Sequence, residues 1–307
     1  MKGNREIMKV LCFGSLNIDY TYKVEHFVSK VETLSSKQLE VYTGGKGLNQ
    51  SVALAKAGAI PYHTGAIGED GKFLLDELHM ASVNTDFVAV LENVRTGHAI
   101  IQNDKQGDNC ILLYGGANQL ITEQQVDQVL SNFEKGDFLL LQNEINALPY
   151  IMEQAYKSGM KIVLNSSPMN DRILELPLKY VSYFILNEIE ASQILGNNIT
   201  EITDGEEPAR QLLKRFPDVA IFLTLGSKGS IYLDGNECVK QSIYHVYAVD
   251  TTAAGDTFTG YFIAGILCGE CINRAMDIAS KASAIAVTRS GAAPSIPTLE
   301  EIETYKF

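Results

Sequence analysis

Short runs of leucine and β-branched residues alternate with helical patterns along most of the chain. The runs at 9–13, 138–141, 161–164, 183–186 and 220–225 predict strands. Between them, residues 48–56 predict a helix stopped by Gly58. Thr122 predicts a second helix start, with Gln125 as capping-box partner and Ile121 and Val126 as a hydrophobic staple. Thr298 and Glu301 repeat the capping box before a last helix. The alternation predicts an α/β fold of three layers, a central and mainly parallel sheet flanked by helices on both faces.

Two segments differ in kind. Residues 24–43 and 97–114 alternate apolar and polar positions, the second around a polar turn at 104–108. They predict a small antiparallel β lid, made from about 18–43 and 97–114, that projects from the body. Such a sheet could close over a ligand or lie as a plain hairpin on the sheet edge. Its alternation leaves one apolar face open, which predicts a homodimer joined through the lids. No repeat or Pro-rich linker interrupts the chain, so one domain over 1–307 is expected, with residues 1–7 as a frayed extension.

Polar residues gather just beyond the predicted strand ends: Asn17 and Asp19, then Glu144, Asn165, Asn187, and Thr224 with Gly226. In open parallel sheets the ligand crevice lies outside that edge.

Composition narrows the partners. A net charge of −12 and a pI near 4.9 exclude the basic footprint that nucleic acid or an anionic membrane requires, but not a single bound nucleotide. Five cysteines, with no evident secretory signal, fit a reducing cytoplasm. Cys268 and Cys271 read as a helix terminus carrying two thiols, and the histidines lack metal-ligand spacing. No run approaches the roughly 20 apolar residues of a membrane span. The nearest, 258–268, reads as a buried helix.

The segment from Asp250 to Gly260, D-T-T-A-A-G-D-T-F-T-G, carries the clearest chemistry. Ala253, Ala254 and Gly255 let backbone approach a ligand closely, and the first N–H groups of a following helix can bind an anion. Asp256 beside them can accept an alcohol proton, since a carboxyl of ordinary pKa, about 3.9, is ionised at neutral pH. An ordinary glycine loop before a buried helix is the bland alternative. Upstream, Gly44-Gly45-Lys46-Gly47-Leu48-Asn49-Gln50 leads into a helix and is no Walker A loop, because glycine follows the lysine.

Taken with G-S-L-N-I-D at 14–19, G-G-A-N at 115–118, L-Q-N-E at 141–144, N-E-I-E at 187–190, T-L-G-S-K-G at 224–229 and the stretch 286–295, these motifs are in the order of the ribokinase family, the PfkB-type carbohydrate kinases, and the chain resembles that family nearly end to end. The resemblance implies ATP-dependent transfer of a γ-phosphoryl group to the 5-hydroxyl of D-ribose, the alternatives being fructose, a deoxy sugar or a nucleoside. It implies a sugar pocket of Asn17, Asp19, Gly45, Lys46, Asn49 and Glu144, with Asp256 as base and the N–H groups of Ala253 to Asp256 as anion hole. For the nucleotide it points to Asn187, Thr224, Gly226, Ser227, Gly229, Gly255 and Ser280, with Glu190 ordering Mg²⁺. A monovalent cation, K⁺, is implied at Asp250, Thr252, Ala286, Arg289, Gly291 and Ser295. Lys30-Val31-Glu32-Thr33 departs from the family's P-G-E-T, and Ser280 from a larger polar residue. Two other classes weigh less: a sugar sensor needs no Asp256, Gly255 or Glu190, and a Rossmann dehydrogenase needs a G-x-G-x-x-G after the first strand.

Overall fold

The computed structural model describes residues 8–106, 108–196 and 205–307. The expected extension at 1–7, and Gly107 of the expected turn, lie outside them.

The five predicted strands form at Val10–Phe13, Phe138–Gln142, Lys161–Asn165, Val181–Asn187 and Ala220–Thr224. They lie parallel and adjacent, with Pro61–Thr64 outside Val10–Phe13. Two antiparallel strands, Ser230–Leu233 and Cys238–Gln241, extend the other edge and complete an eight-stranded sheet. Its central strands are continuous apolar runs because helices cover both faces, leaving one core cluster on each side. The additional strands of this sheet went unread in the sequence because each spans only four residues, although Asp234-Gly235 marks the hairpin between the last two.

Helix boundaries follow local chemistry. The helix Lys46–Lys56 begins two residues before its apolar pattern, and Gly58 ends it at φ 87°. Thr122 caps the helix Glu123–Leu130 by accepting from the Gln125 N–H, but the reciprocal bond is missing: Gln125 turns its amide to the Gly65 carbonyl at 3.0 Å. Thr298 and Glu301 form both halves of their box. Cys268 ends one helix and Cys271 caps the next, both exposed and free.

The projecting sheet has four strands, in the order Gln38–Gly44, Asn17–Lys23, Gly97–Asn103, Asn109–Tyr114. Its outer pairs are antiparallel, as expected, but the central pair, Asn17–Lys23 with Gly97–Asn103, runs parallel. Both central strands leave the body in the same direction, so they pair side by side. Asn17 and Asp19 therefore sit on the first turn-out of this sheet rather than in a loop of the main one.

One helix crossing governs the interior. Lys46–Lys56 packs against Ala254–Cys268 at Gly260, where an added Cβ would lie 2.4 Å from the Ala53 Cβ. Gly260→Ala should therefore cost about 1–3 kcal/mol through overpacking, read from urea unfolding.

Candidate active site

The close crossing places the N-terminal turns of two helices side by side. Asp256, in the first turn of Ala254–Cys268, is only 3% exposed. Its carboxylate accepts from Asn49 Nδ2 at 3.1 Å and from Gln50 Nε2 at 2.8 Å, and Lys46 Nζ stands 3.9 Å away. The Asp256 charge beside Lys46, with smaller contributions from Glu144 and Glu190, outweighs burial and holds the ammonium above its ordinary pKa. Asn49 Oδ1 is buried without a hydrogen-bond partner, an acceptor available to a ligand hydroxyl.

Glu144 closes the other side. Its Oε2 accepts from the Lys46 N–H at 3.0 Å and from the Ser15 hydroxyl. Gly45, at φ 96°, turns the chain so that this amide faces the carboxylate, and a Cβ there would meet the Ser15 carbonyl at 2.9 Å. Asn17 is fixed by Asn118, whose Nδ2 donates to Asn17 Oδ1 at 2.8 Å while its own Oδ1 accepts from the Leu16 N–H at 3.1 Å. Gly97 makes room for that pair, since a Cβ would fall 2.1 Å from Asn118 Nδ2. Asn118 had no assigned role in the sequence reading; its position just after a glycine pair was the available signal.

Asp19 faces the same space. Burial, then the charges of Glu144 and Asp256, push its carboxyl up to about 7. Gly44 is required beside it, because a Cβ would overlap the Asp19 carboxyl. All the residues expected to hold a sugar thus converge near Asp256.

On the other side of Gly255 lies a cavity of about 480 Å³, in the range of small-molecule sites. Thr224, Gly226, Ser227, Gly229, Gly255 and Ser280 line it. Asn187 does not: it pairs in register with Thr224, and its side chain caps the following helix in a reciprocal box with Glu190. Glu190 Oε2 accepts from the Asn187 N–H at 2.9 Å. The apolar wall, from Ile243, Val246, Ala248, Phe258, Ala284 and Val287, was missed, because the irregular 243–248 stretch carries no motif.

The first N–H groups of Ala254–Cys268 have no intrahelical partner. Among the four amides expected to form the anion hole, that of Ala254 is engaged by the Thr251 carbonyl at 3.2 Å. A Cβ on Gly255 would meet nothing within 4 Å, so open space lies over this turn.

The loops expected to hold a monovalent cation are drawn together by Asp250. Its Oδ1 accepts from the Thr252 N–H at 2.9 Å and its Oδ2 from the Gly291 N–H at 3.0 Å. Asp250, Thr252 and Gly291 line a second cavity, about 500 Å³, whose far wall is the projecting sheet through Asp19, Thr21 and Tyr42. Ser295 is buried, its hydroxyl donating to the Ala292 carbonyl at 2.8 Å. The Ala286 carbonyl accepts from the Arg289 N–H at 3.1 Å, and the Arg289 guanidinium points away to Glu301 at 2.7 Å. Only backbone oxygen remains for a cation at residue 289.

The pattern of the pfkB family carbohydrate kinases matches residues 8–299. A ribokinase of Staphylococcus aureus is 33% identical over 96% of this chain and 98% of its own. The ribokinase of Cryptococcus neoformans var. grubii, solved in complex with ADP, superposes with a TM-score of 0.84 at 32% identity, covering 96% of this chain and 99% of that one. An Arabidopsis thaliana ribokinase, solved with ribose and ATP, has the same TM-score, 0.84, at 28% identity, covering 97% and 98%.

The raised pKa of Asp19 has a stability consequence. Its folded value, about 7, lies above that of the unfolded chain, so the folded state binds the extra proton between pH 4 and 7 and loses stability as pH rises through that window. Asp19→Asn should therefore melt above the native protein at pH 8.5 and by a smaller margin at pH 5. Equal margins in thermal melts at the two pH values would contradict this.

Proposed function

The chain belongs to the pfkB family of carbohydrate kinases, and on that premise we propose that it transfers the γ-phosphoryl group of ATP to the 5-hydroxyl of D-ribose. The observation that carries this reading is the seat of Asp256, buried beside Gly255 of the cavity lining while facing Lys46 and Asn49, with Asp19 and Glu144 in electrostatic reach.

Ribose lies between these side chains and hydrogen-bonds to them, carboxylates accepting from its hydroxyls and Asn17 and Asn49 satisfying the rest. A site built this way rejects sugars lacking a hydroxyl, because its buried acceptors are then left unpaired. Asp256 takes the proton of the 5-hydroxyl, whose oxygen attacks the γ-phosphorus while ADP leaves in line. The N–H groups of the Gly255 turn and the Lys46 ammonium receive the charge that develops on the moving phosphoryl oxygens. The nucleotide occupies the 480 Å³ cavity, its base against the apolar wall from 243–248, Phe258 and Val287. Asn187, in register with Thr224 of the lining, acts through the helix cap it shares with Glu190.

Glu190 would hold Mg²⁺ through water, and the ion would supply neutralisation of phosphate charge. Asp250, whose carboxylate ties the Thr252 and Gly291 loops together, would hold K⁺ with Thr252, Ser295 and the carbonyls of Ala286, Arg289 and Gly291, and the ion would supply positive charge there. One domain carries all of this, with the projecting sheet as a lid that excludes water. The outer face of the lid supports a homodimer: Val41, Tyr20, Ile100 and Leu112 stand in register across it, with Val41 50% and Leu112 67% exposed. Five free cysteines suit the cytoplasm.

Asp256→Asn should keep sugar affinity within a few-fold by calorimetry and lower turnover by about 10²–10⁴; unchanged turnover would remove Asp256 as base. A panel of ribose, fructose, deoxyribose and nucleosides, assayed for ATP consumption with and without K⁺, should favour ribose with K⁺, and Asp250→Ala should erase the K⁺ response. Sedimentation should find a dimer at micromolar concentration, converted to monomer by Leu112→Glu.

A further inference from the structure

Behind the carboxylate of Asp256 lie two side chains that neither substrate reaches. Gln50 and Gln142 are both fully buried, one from the first turns of Lys46–Lys56, the other from the end of the strand Phe138–Gln142. Gln142 Nε2 donates to Gln50 Oε1 at 2.7 Å, and Gln50 Nε2 donates to Asp256 Oδ1 at 2.8 Å. Gln142 Nε2 also lies 3.5 Å from Cys12 Sγ.

The direction of this chain is forced. An ionised carboxylate only accepts, so Gln50 must present its NH₂ to Asp256 and its oxygen to Gln142, which must then donate as well. The cost is visible, since Gln142 Oε1 is buried with no partner. An amide arranged for its own satisfaction would not be left so; this one is arranged for the carboxylate. Gly14 is part of the same arrangement, because a Cβ there would stand 2.3 Å from Gln142 Oε1 and push the amide out of reach of Gln50.

We propose that Gln50 and Gln142 are positioning residues for phosphoryl transfer: together they fix the rotation of the Asp256 carboxylate about its side-chain axis, so that its remaining lone pairs face the substrate hydroxyl. Asn49 holds the second oxygen from the ligand side, and the glutamines hold the first from behind. The inference rests on the reading of Asp256 as the proton acceptor. It assigns the glutamines no contact with sugar or nucleotide.

The test uses the full-length protein and three substitutions. Gln50→Met keeps side-chain length and removes the donor. It should lower kcat by about 10–100-fold, as expected for loss of a hydrogen bond to a charged group, with the sugar KM within about threefold. Gln142→Met should lower kcat by a smaller factor. The double variant should be no slower than Gln50→Met, because Gln142 acts only through Gln50. Thermal melts of each variant separate lost fold from lost rate, and Gln142→Met, one contact removed from the carboxylate, is the milder probe should Gln50→Met melt below the assay temperature. A native kcat in Gln50→Met, a loss confined to KM or to melting temperature, or losses that multiply in the double variant would overturn the relay. Asp256→Asn run alongside tells the two failures apart. If it turns over normally, the base assignment is wrong; if it is inactive while Gln50→Met is native, only the relay is wrong.

Discussion

A carboxylate with 3% exposure can stay in a protein interior only if enough donors surround it. Around Asp256 those donors come from one helix, Lys46–Lys56, which supplies the Asn49 and Gln50 amides and the Lys46 ammonium. The helix can reach because Gly260 allows a backbone approach that any larger residue would prevent. The same helix is seated on the first strand's exit loop by Gly47, where a Cβ would lie 2.5 Å from the Ser15 nitrogen. Small residues at two crossings thus set the position of a charge, and the charge sets the position of the polar side chains around it.

The two ligand regions have opposite characters for a physical reason. The region facing Asp19, Glu144 and Asp256 concentrates negative charge, and the carboxyl of Asp19 responds by holding its proton up to about pH 7. Such a site is costly to keep empty and suits a neutral, hydroxyl-rich ligand. The cavity proposed for the nucleotide has apolar walls and glycine-rich edges, with its polarity supplied by backbone amides at a helix start. A flat base and a polyanion need those two things.

The parallel sheet and the carboxylate at position 256 were legible in the sequence because they rest on short-range signals: apolar runs, caps, and a glycine before a helix start. Gly45, Lys46, Asn49 and Glu144 were legible through the order of motifs, and the structure brings them together. What escaped was nonlocal. The parallel pairing of Asn17–Lys23 with Gly97–Asn103 depends on two strands whose paired residues lie 80 apart in the chain, leaving the body in the same direction. The apolar wall at 243–248 has no periodicity, and the second half of the Thr122 cap was lost because Gln125 found a carbonyl in another segment. Gln50 and Gln142 stood in the motifs themselves, yet amide side chains in a sequence do not reveal whether they face a ligand or another residue.

The first turn of the Ala254–Cys268 helix joins the two regions through neighbouring residues: Gly255 borders the 480 Å³ cavity and Asp256 the cluster around Lys46 and Asn49. Consecutive Cα atoms are about 3.8 Å apart whatever the side chains, so the open helix start and the carboxylate stay neighbours by covalent geometry. The walls that choose the base and the walls that choose the alcohol otherwise come from different stretches of chain. Either wall can therefore be altered without separating the carboxylate from the helix start beside it.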